Sequence, residues 1–123
     1  MSVKKSVLIT GCSDGGIGSA LAIIFQARGF HVFATARNIS KMSALTELPN
    51  VMLLALDITQ AAHITSAVEV VERETDGALD ILINNAGENH YMPVVDIEIA
   101  EAKRIFDTNF WGALTVIQSF AHL

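Results

Sequence analysis

Disulfide chemistry is absent within this chain, because its 123 residues include one cysteine, Cys12. A cytoplasmic setting, or a cytoplasm-facing surface, is the default that follows. No stretch offers the ~18 uninterrupted apolar residues of a membrane span. The start, Met1-Ser2-Val3-Lys4-Lys5, leads straight into a strand pattern. It lacks the separate apolar segment and small-residue cleavage site of a signal peptide. Charged residues make up only 17% of the chain, the net charge is −5, and no basic stripe is clustered. Nucleic acid is therefore not an expected partner. No His, Cys or Asp spacing suits a metal site, and there is no linker, repeat or low-complexity segment.

What the chain has in excess is apolar surface. Apolar residues are 51% of the sequence, and the mean hydropathy is +0.44. That surplus implies surface covered by a second copy, another partner or further chain, and leaves association with a membrane surface open.

Strand-like and helical runs alternate. Ser6 to Thr10 is short and apolar, as a strand covered on both faces should be. Ile17 to Arg28 reads as a helix with Ala20, Leu21, Ile24 and Phe25 on one face, closed by Gly29. Phe30 to Ala36 is a second strand, Ser40 to Glu47 a short helix before Pro49, and Val51 to Leu56 a third strand. Gln60 to Thr75 is amphipathic through Ile64, Ala67, Val68 and Val71, and Gly77 breaks it. Leu79 to Asn84 is the fourth strand. A last helix begins near Ile97 or Ile99 and runs to the end, with Ala102, Ile105, Phe106, Phe110, Ala113, Ile117 and Phe120 covering the sheet. Trp111, Leu114 and Val116 fall partly outside that stripe, so this helix should be buried on two sides.

The pattern predicts an α/β fold: a truncated, Rossmann-type, doubly wound parallel sheet of about four strands in the order 3-2-1-4. A cofactor crevice belongs where that order reverses, between strands one and four. Strand four is then an unpaired apolar edge, exposed or shared.

The turn after the first strand contains Gly11, Ser13, Gly15, Gly16, Ile17 and Gly18. A pyrophosphate approaching the backbone needs residues without a Cβ, and the following helix offers it unpaired N–H groups. At the end of the second strand, where a NAD site usually keeps a carboxylate for the ribose hydroxyls, stand Ala36 and Arg37. A carboxylate would repel a 2′-phosphate, whereas a guanidinium grips it. Together with the Ser13 hydroxyl this favours NADP(H).

These residues, with Asp57, Asn84-Asn85-Ala86-Gly87 and Asn109, resemble the N-terminal half of a short-chain dehydrogenase/reductase over essentially the whole chain. The family's turn is Thr-Gly-x-x-x-Gly-x-Gly. The version from Thr10 to Gly18 carries one extra residue and is similar to that of fungal NADPH-dependent acyl-dihydroxyacetone-phosphate reductase-like members. The resemblance implies that Asn84 braces the sheet core, that Ala86 and Gly87 leave room for the cofactor ribose, and that Asn85 is among the cofactor-binding residues. It implies an adenine contact for Asp57, with Ile58 packing beside the ring, and a proton-relay support for Asn109. It also implies a carbonyl or alcohol substrate, a lipid-like keto compound being suggested by the turn alone. Other nucleotide-fold enzymes such as methyltransferases share a glycine-rich first turn but do not explain Asn84 to Gly87 with Asn109.

The departures are equally specific. Residues 1–123 read as a single dinucleotide-binding domain ending before the family's catalytic serine and Tyr-x-x-x-Lys segment. The one tyrosine, Tyr91, is followed four residues later by Val95, not lysine, so only Asn109 of the family's tetrad is present. General acid–base groups typically contribute ~10²–10⁴-fold, and the chain by itself is expected to be a poor dehydrogenase. Two other readings follow. In one, the half-fold is a cofactor-binding regulatory module or a non-redox isomerase, cyclase or dehydratase, with His90 and Glu88 as an acid–base pair. In the other it is an interaction protein that keeps the fold and loses the cofactor. Burial of the sheet edge and terminal helix implies a homodimer or a completing chain. His31, His63 and His122 are assigned structural or solvated positions.

Overall fold

The computed structural model describes residues 4–123. Four strands, β1 (Ser6–Ile9), β2 (His31–Ala36), β3 (Val51–Ala55) and β4 (Ile81–Ile83), form one sheet in the order β3-β2-β1-β4. All three pairings are parallel, with Leu8 opposite Phe33 on one side and Leu82 on the other. The order is the one the sequence predicts, and β4 is an edge. Ile81 to Ile83 is shorter than the expected strand, and at its start Asp80 turns its carboxylate onto β1: its Oδ2 accepts from the Ser6 N–H at 2.8 Å. That contact replaces a ladder bond at the start of the pair.

Side chains of adjacent strand residues point to opposite faces, and this divides the core in two. Val7, Ile9, Val32, Ala34 and Ala36 pack under α1 (Ile17–Ala27) with Ala22, Met42 and Leu45. Leu8 and Phe33 face the other way, onto Ile64, Ala67 and Val71 of α2 (Ala61–Thr75) and onto Val116 and Phe120 near the end of the chain. The rotation of α1 differs from the periodicity reading. Ala20 and Ile24 are exposed, whereas Gly18, Ser19 and Ala22 are buried with Leu21 and Phe25 beside them. Small residues occupy the buried face, and at Gly18 a Cβ would collide with the turn after β1 and with Asn85.

Two further departures concern helices. Between β2 and β3, the short helix expected over Ser40–Glu47 is instead a pair of 3₁₀ turns, Ile39–Lys41 and Ser43–Leu45. Asn38 caps the first by accepting from the Ser40 N–H, and Asp14 takes the N–H groups of Ser43 and Ala44. Backbone groups captured by side chains are lost to a continuous helix.

The terminal helix is likewise not continuous. It consists of α3 (Ile99–Phe106), a π-helical turn (Asp107–Gly112) and α4 (Ala113–Phe120). The wide turn resets the helical phase, so the buried stripe becomes Gly112, Val116 and Phe120. Phe106, Phe110 and Ile117, expected on the sheet, are exposed with Ile99 and Leu114. Gly112 fixes the register: a Cβ there would stand 2.9 Å from both the Asp107 carbonyl oxygen and Ile58 Cγ1. The helix is thus apolar on two sides, one on the sheet and one open. Among the described residues, no helix is long and apolar enough to cross a membrane.

Candidate dinucleotide site

A cleft of about 690 Å³ lies along the C-terminal ends of the strands. It is built by the turn after β1, the ends of β2 and β3, the loop after β4 and one side of α3. Of the sequence-derived candidates, Gly11, Ser13, Gly16, Ile17, Arg37, Asp57, Ile58, Asn85, Ala86, Gly87 and Glu88 all line it. Gly15, Gly18, His90 and Asn109 do not.

The floor is a close approach between the first turn and the loop after β4. Thr10 Oγ1 accepts from the N–H groups of Asn85 and Ala86, at 3.0 and 2.9 Å. Asn85 Nδ2 donates back to the carbonyls of Thr10 and Gly11, both at 3.1 Å. The bracing role therefore belongs to Asn85, while Asn84 is exposed. Gly11 has φ +73°, and a Cβ on it would meet Ala86 Cα at 2.8 Å. Gly18 is buried under the same junction, where a Cβ would collide with the Gly11 carbonyl. Both glycines are needed for packing, and Gly11 for its backbone conformation as well.

Around Gly15 the space is open, and at Gly16 an added Cβ would meet only the Ser13 carbonyl oxygen, at 3.4 Å. Gly15 has φ +80° with nothing within 4 Å of an added Cβ, and Gly16 is the N-cap of α1. No side chain caps this helix and its first turn carries no acidic residue. The first-turn N–H groups have no helical acceptor, and a helix start of this kind favours an anion. Burial pushes the neighbouring Cys12 thiol up to about 11, with a Thr35 backbone contact opposing the shift only in part.

Asp14 ties the turn to the segment after β2. Its N–H donates to the Lys41 carbonyl at 2.7 Å, and its Oδ2 accepts from Ser43 Oγ at 2.6 Å. The Ser43 hydroxyl, then the Ala44 N–H, hold the Asp14 carboxyl below its ordinary range against an opposing desolvation effect.

At the far wall, Asp57 Oδ1 accepts from the N–H and the hydroxyl of Thr59, at 2.9 and 2.6 Å. Its own N–H donates to His63 Nδ1 at 3.1 Å. Burial raises the Asp57 carboxyl, but Thr59, Arg37 and His63 together outweigh it and the net shift is downward. His63 thus positions the backbone of a cleft residue, a link hidden from the sequence because it depends on the turn between β3 and α2.

Over the mouth, Asn109 in the π-helical turn holds Glu88. Its Oδ1 accepts from the Glu88 N–H and its Nδ2 donates to the Glu88 carbonyl. The Glu88 carboxylate contacts Arg104 at 2.6 Å and Arg37 at 3.9 Å. Arg104 was not found by sequence reasoning. The Glu101–Arg104 spacing suggests an i,i+3 helix pair, which is present, but nothing local says that Arg104 also crosses to the loop after β4. The proposed pairing of Glu88 with His90 is not made: the Glu88 carboxylate is turned to the arginines, and His90 is exposed and outside the cleft.

A glycine turn opening a helix at the end of a central parallel strand, beside the point where strand order reverses, is the arrangement that doubly wound α/β proteins have at their ligand crevice. The comparisons narrow this. The pattern of the short chain dehydrogenase family matches residues 5–123, and the chain belongs to that family. It is 52% identical over 120 residues to the short-chain dehydrogenase PC-15 of Penicillium crustosum, covering 98% of this chain and 44% of that protein. It is 41% identical over 122 residues to an NADPH-dependent 1-acyldihydroxyacetone phosphate reductase of Schizosaccharomyces pombe, covering 99% and 41%. Among solved structures, NADPH-bound carbonyl reductase from chicken fatty liver superposes with a TM-score of 0.86 at 29% identity, over 96% of this chain and 47% of that one. The chain therefore spans less than half the length of these relatives.

Proposed function

We propose that these residues form the NADP(H)-binding part of a short-chain dehydrogenase acting on a carbonyl or secondary alcohol. The observation that carries this reading is Arg37: a guanidinium, not a carboxylate, stands at the end of β2 and lines the cleft. The relatives give the same direction, since one is NADPH-dependent and a solved neighbour is NADPH-bound. The cradle fits such a group. Its glycine turn leaves open space at Gly15, and the uncapped start of α1 offers N–H donors to a pyrophosphate. Ser13 and Arg37 would take the 2′-phosphate, Asp57 and Ile58 the adenine, and Ala86 and Gly87 the ribose.

A nicotinamide held in this cleft would supply a hydride. The chain's own residues orient that group: Asn85 and Thr10 fix the floor, and Asn109 fixes the Glu88 backbone above it. No Tyr-x-x-x-Lys lies among these 123 residues, since Val95 follows Tyr91 at the fourth place. These residues do not supply the family's Tyr-Lys pair, and the 123 residues by themselves should bind cofactor but reduce carbonyls poorly. The exposed stripe of Phe106, Phe110, Leu114 and Ile117 is assigned to contact with a second copy, and the setting is cytoplasmic. A non-redox site built on Glu88 and His90 is the alternative. The engagement of Glu88 by two arginines and the position of His90 outside the cleft weigh against it.

Calorimetric titration of the 123-residue chain with NADPH, and with NADH as control, tests the reading. Micromolar binding with NADPH preferred supports it. A folded chain that binds neither removes the cofactor assignment.

A further inference from the structure

The cleft is crossed by a charge network that neither the glycine turn nor the strand ends require. Glu101 on α3 grips Arg104 through Nε and Nη2, the latter at 2.6 Å. Arg104 Nη1 then meets Glu88 Oε2 at 2.6 Å, and Glu88 Oε1 faces Arg37 Nη1 at 3.9 Å. Asn109 holds the Glu88 backbone at both its N–H and its carbonyl, so the carboxylate hangs from a fixed point. Its side chain is 23% exposed, against 74% for Arg37. Arg37 also feels the Asp57 carboxylate, but one Asp57 oxygen is committed to Thr59. Glu88 is thus a carboxylate placed between two guanidinium groups, bonded to Arg104 and 3.9 Å from Arg37.

We infer that Glu88 is a specificity-determining residue, a carboxylate that competes with a nucleotide 2′-phosphate for Arg37 and is kept off it by Arg104. This rests on the reading that Arg37 receives that phosphate. A carboxylate near the phosphate opposes it by like-charge repulsion and occupies part of the same guanidinium. Arg104, oriented by Glu101, draws Glu88 toward α3 and relieves both effects. The two residues consequently act on 2′-phosphate binding with opposite signs, although they form one ion pair. A nucleotide without the 2′-phosphate feels neither.

The test is calorimetric titration of the full chain with adenosine 2′,5′-bisphosphate and with 5′-AMP, which differ by that phosphate alone. Glu88→Gln should tighten the bisphosphate by roughly two- to fivefold, the range of a solvent-exposed ion pair, and leave 5′-AMP unchanged. Arg104→Met should weaken the bisphosphate by a comparable factor, because Glu88 is then free to close on Arg37. In the double variant the Arg104 substitution should have no further effect. Weaker bisphosphate binding by Glu88→Gln overturns the inference, as does a loss from Arg104→Met that persists in the double variant, which would make Arg104 a direct phosphate ligand. Unchanged bisphosphate-to-AMP ratios in both single variants overturn it too, while leaving the Arg37 reading intact. A wild-type chain that binds neither nucleotide, or both equally, overturns the Arg37 reading and this inference with it.

Discussion

The side-chain amide of Asn109 satisfies both backbone polar groups of Glu88, accepting from its N–H at 2.7 Å and donating to its carbonyl at 2.8 Å. A residue in the π-helical turn thereby fixes a loop that lies twenty-one positions earlier in the chain. The wide turn and the loop after β4 are one structural unit, and the mouth of the cleft depends on both.

Asn109→Ala should release that loop. Each hydrogen bond contributes about 0.5–1.5 kcal/mol net, and exposure of this pair places the loss at about 1 kcal/mol. Hydrogen exchange at the Glu88 amide should quicken, with little change in strand amides of β1 and β2. Unchanged exchange at Glu88 would show that the clamp does not order the loop.

The two kinds of glycine should separate by substitution. Gly18→Ala puts a Cβ against the Gly11 carbonyl and 2.8 Å from Asn85 Nδ2, so it should cost roughly 1–3 kcal/mol as overpacking and abolish nucleotide binding. Gly15→Ala meets no neighbour and is burdened only by its φ of +80°, a strain of about 1–2 kcal/mol. Thermal melts of both variants, read beside calorimetry, check the ranking.

Arg37→Met should change cofactor preference without unfolding the chain, since the side chain is exposed. A charge-assisted hydrogen bond contributes about 1.5–3 kcal/mol, so NADPH affinity should fall roughly tenfold to a hundredfold. NADH affinity should hold. Equal losses for both would reassign Arg37 to a feature that the two cofactors share.

Acid should loosen the contact between the glycine turn and the segment after β2. The Asp14 carboxyl is held below its ordinary range by Ser43 and Ala44, so in the acid window the unfolded chain binds more protons than the folded one. Its stabilising effect is fully present above about pH 4, the ordinary value for Asp, and is lost as pH falls through the depressed folded value. Asp14→Asn should melt lower than wild type at neutral pH, and the difference should vanish toward strong acid. A difference independent of pH would refute the assignment.

Thr35 is fully buried on β2, and its Oγ1 has no hydrogen-bond partner among the described residues. Thr35→Val keeps the shape and removes the unpaired hydroxyl, whose desolvation costs about 1–3 kcal/mol. The variant should melt at the same or a higher temperature. A lower melting temperature would mean that the hydroxyl is satisfied in solution.

Local pattern carried much of this protein. Short apolar runs alternating with helical periodicity determine a parallel α/β sheet, because strands covered on both faces must be apolar throughout and crossovers are right-handed. The strand order 3-2-1-4 followed, and so did the cluster of Gly11, Arg37, Asp57 and Asn85 to Gly87 around one cleft, since strand ends in such a sheet converge at the reversal point. Tertiary structure decided what depends on contacts distant in sequence. The rotation of α1 follows the close approach of Gly18 to Gly11 and Asn85 and the burial of Ala22 in the core, not the hydrophobic periodicity of Ala20 and Ile24. Gly112 and the hold of Asn109 on Glu88 accompany the π-helical turn, which exchanged the buried and exposed stripes of the last helix. Arg104 joined the cleft through a carboxylate sixteen positions away. Periodicity and composition are properties of neighbours along the chain, whereas these contacts exist only once the sheet has brought separate segments together.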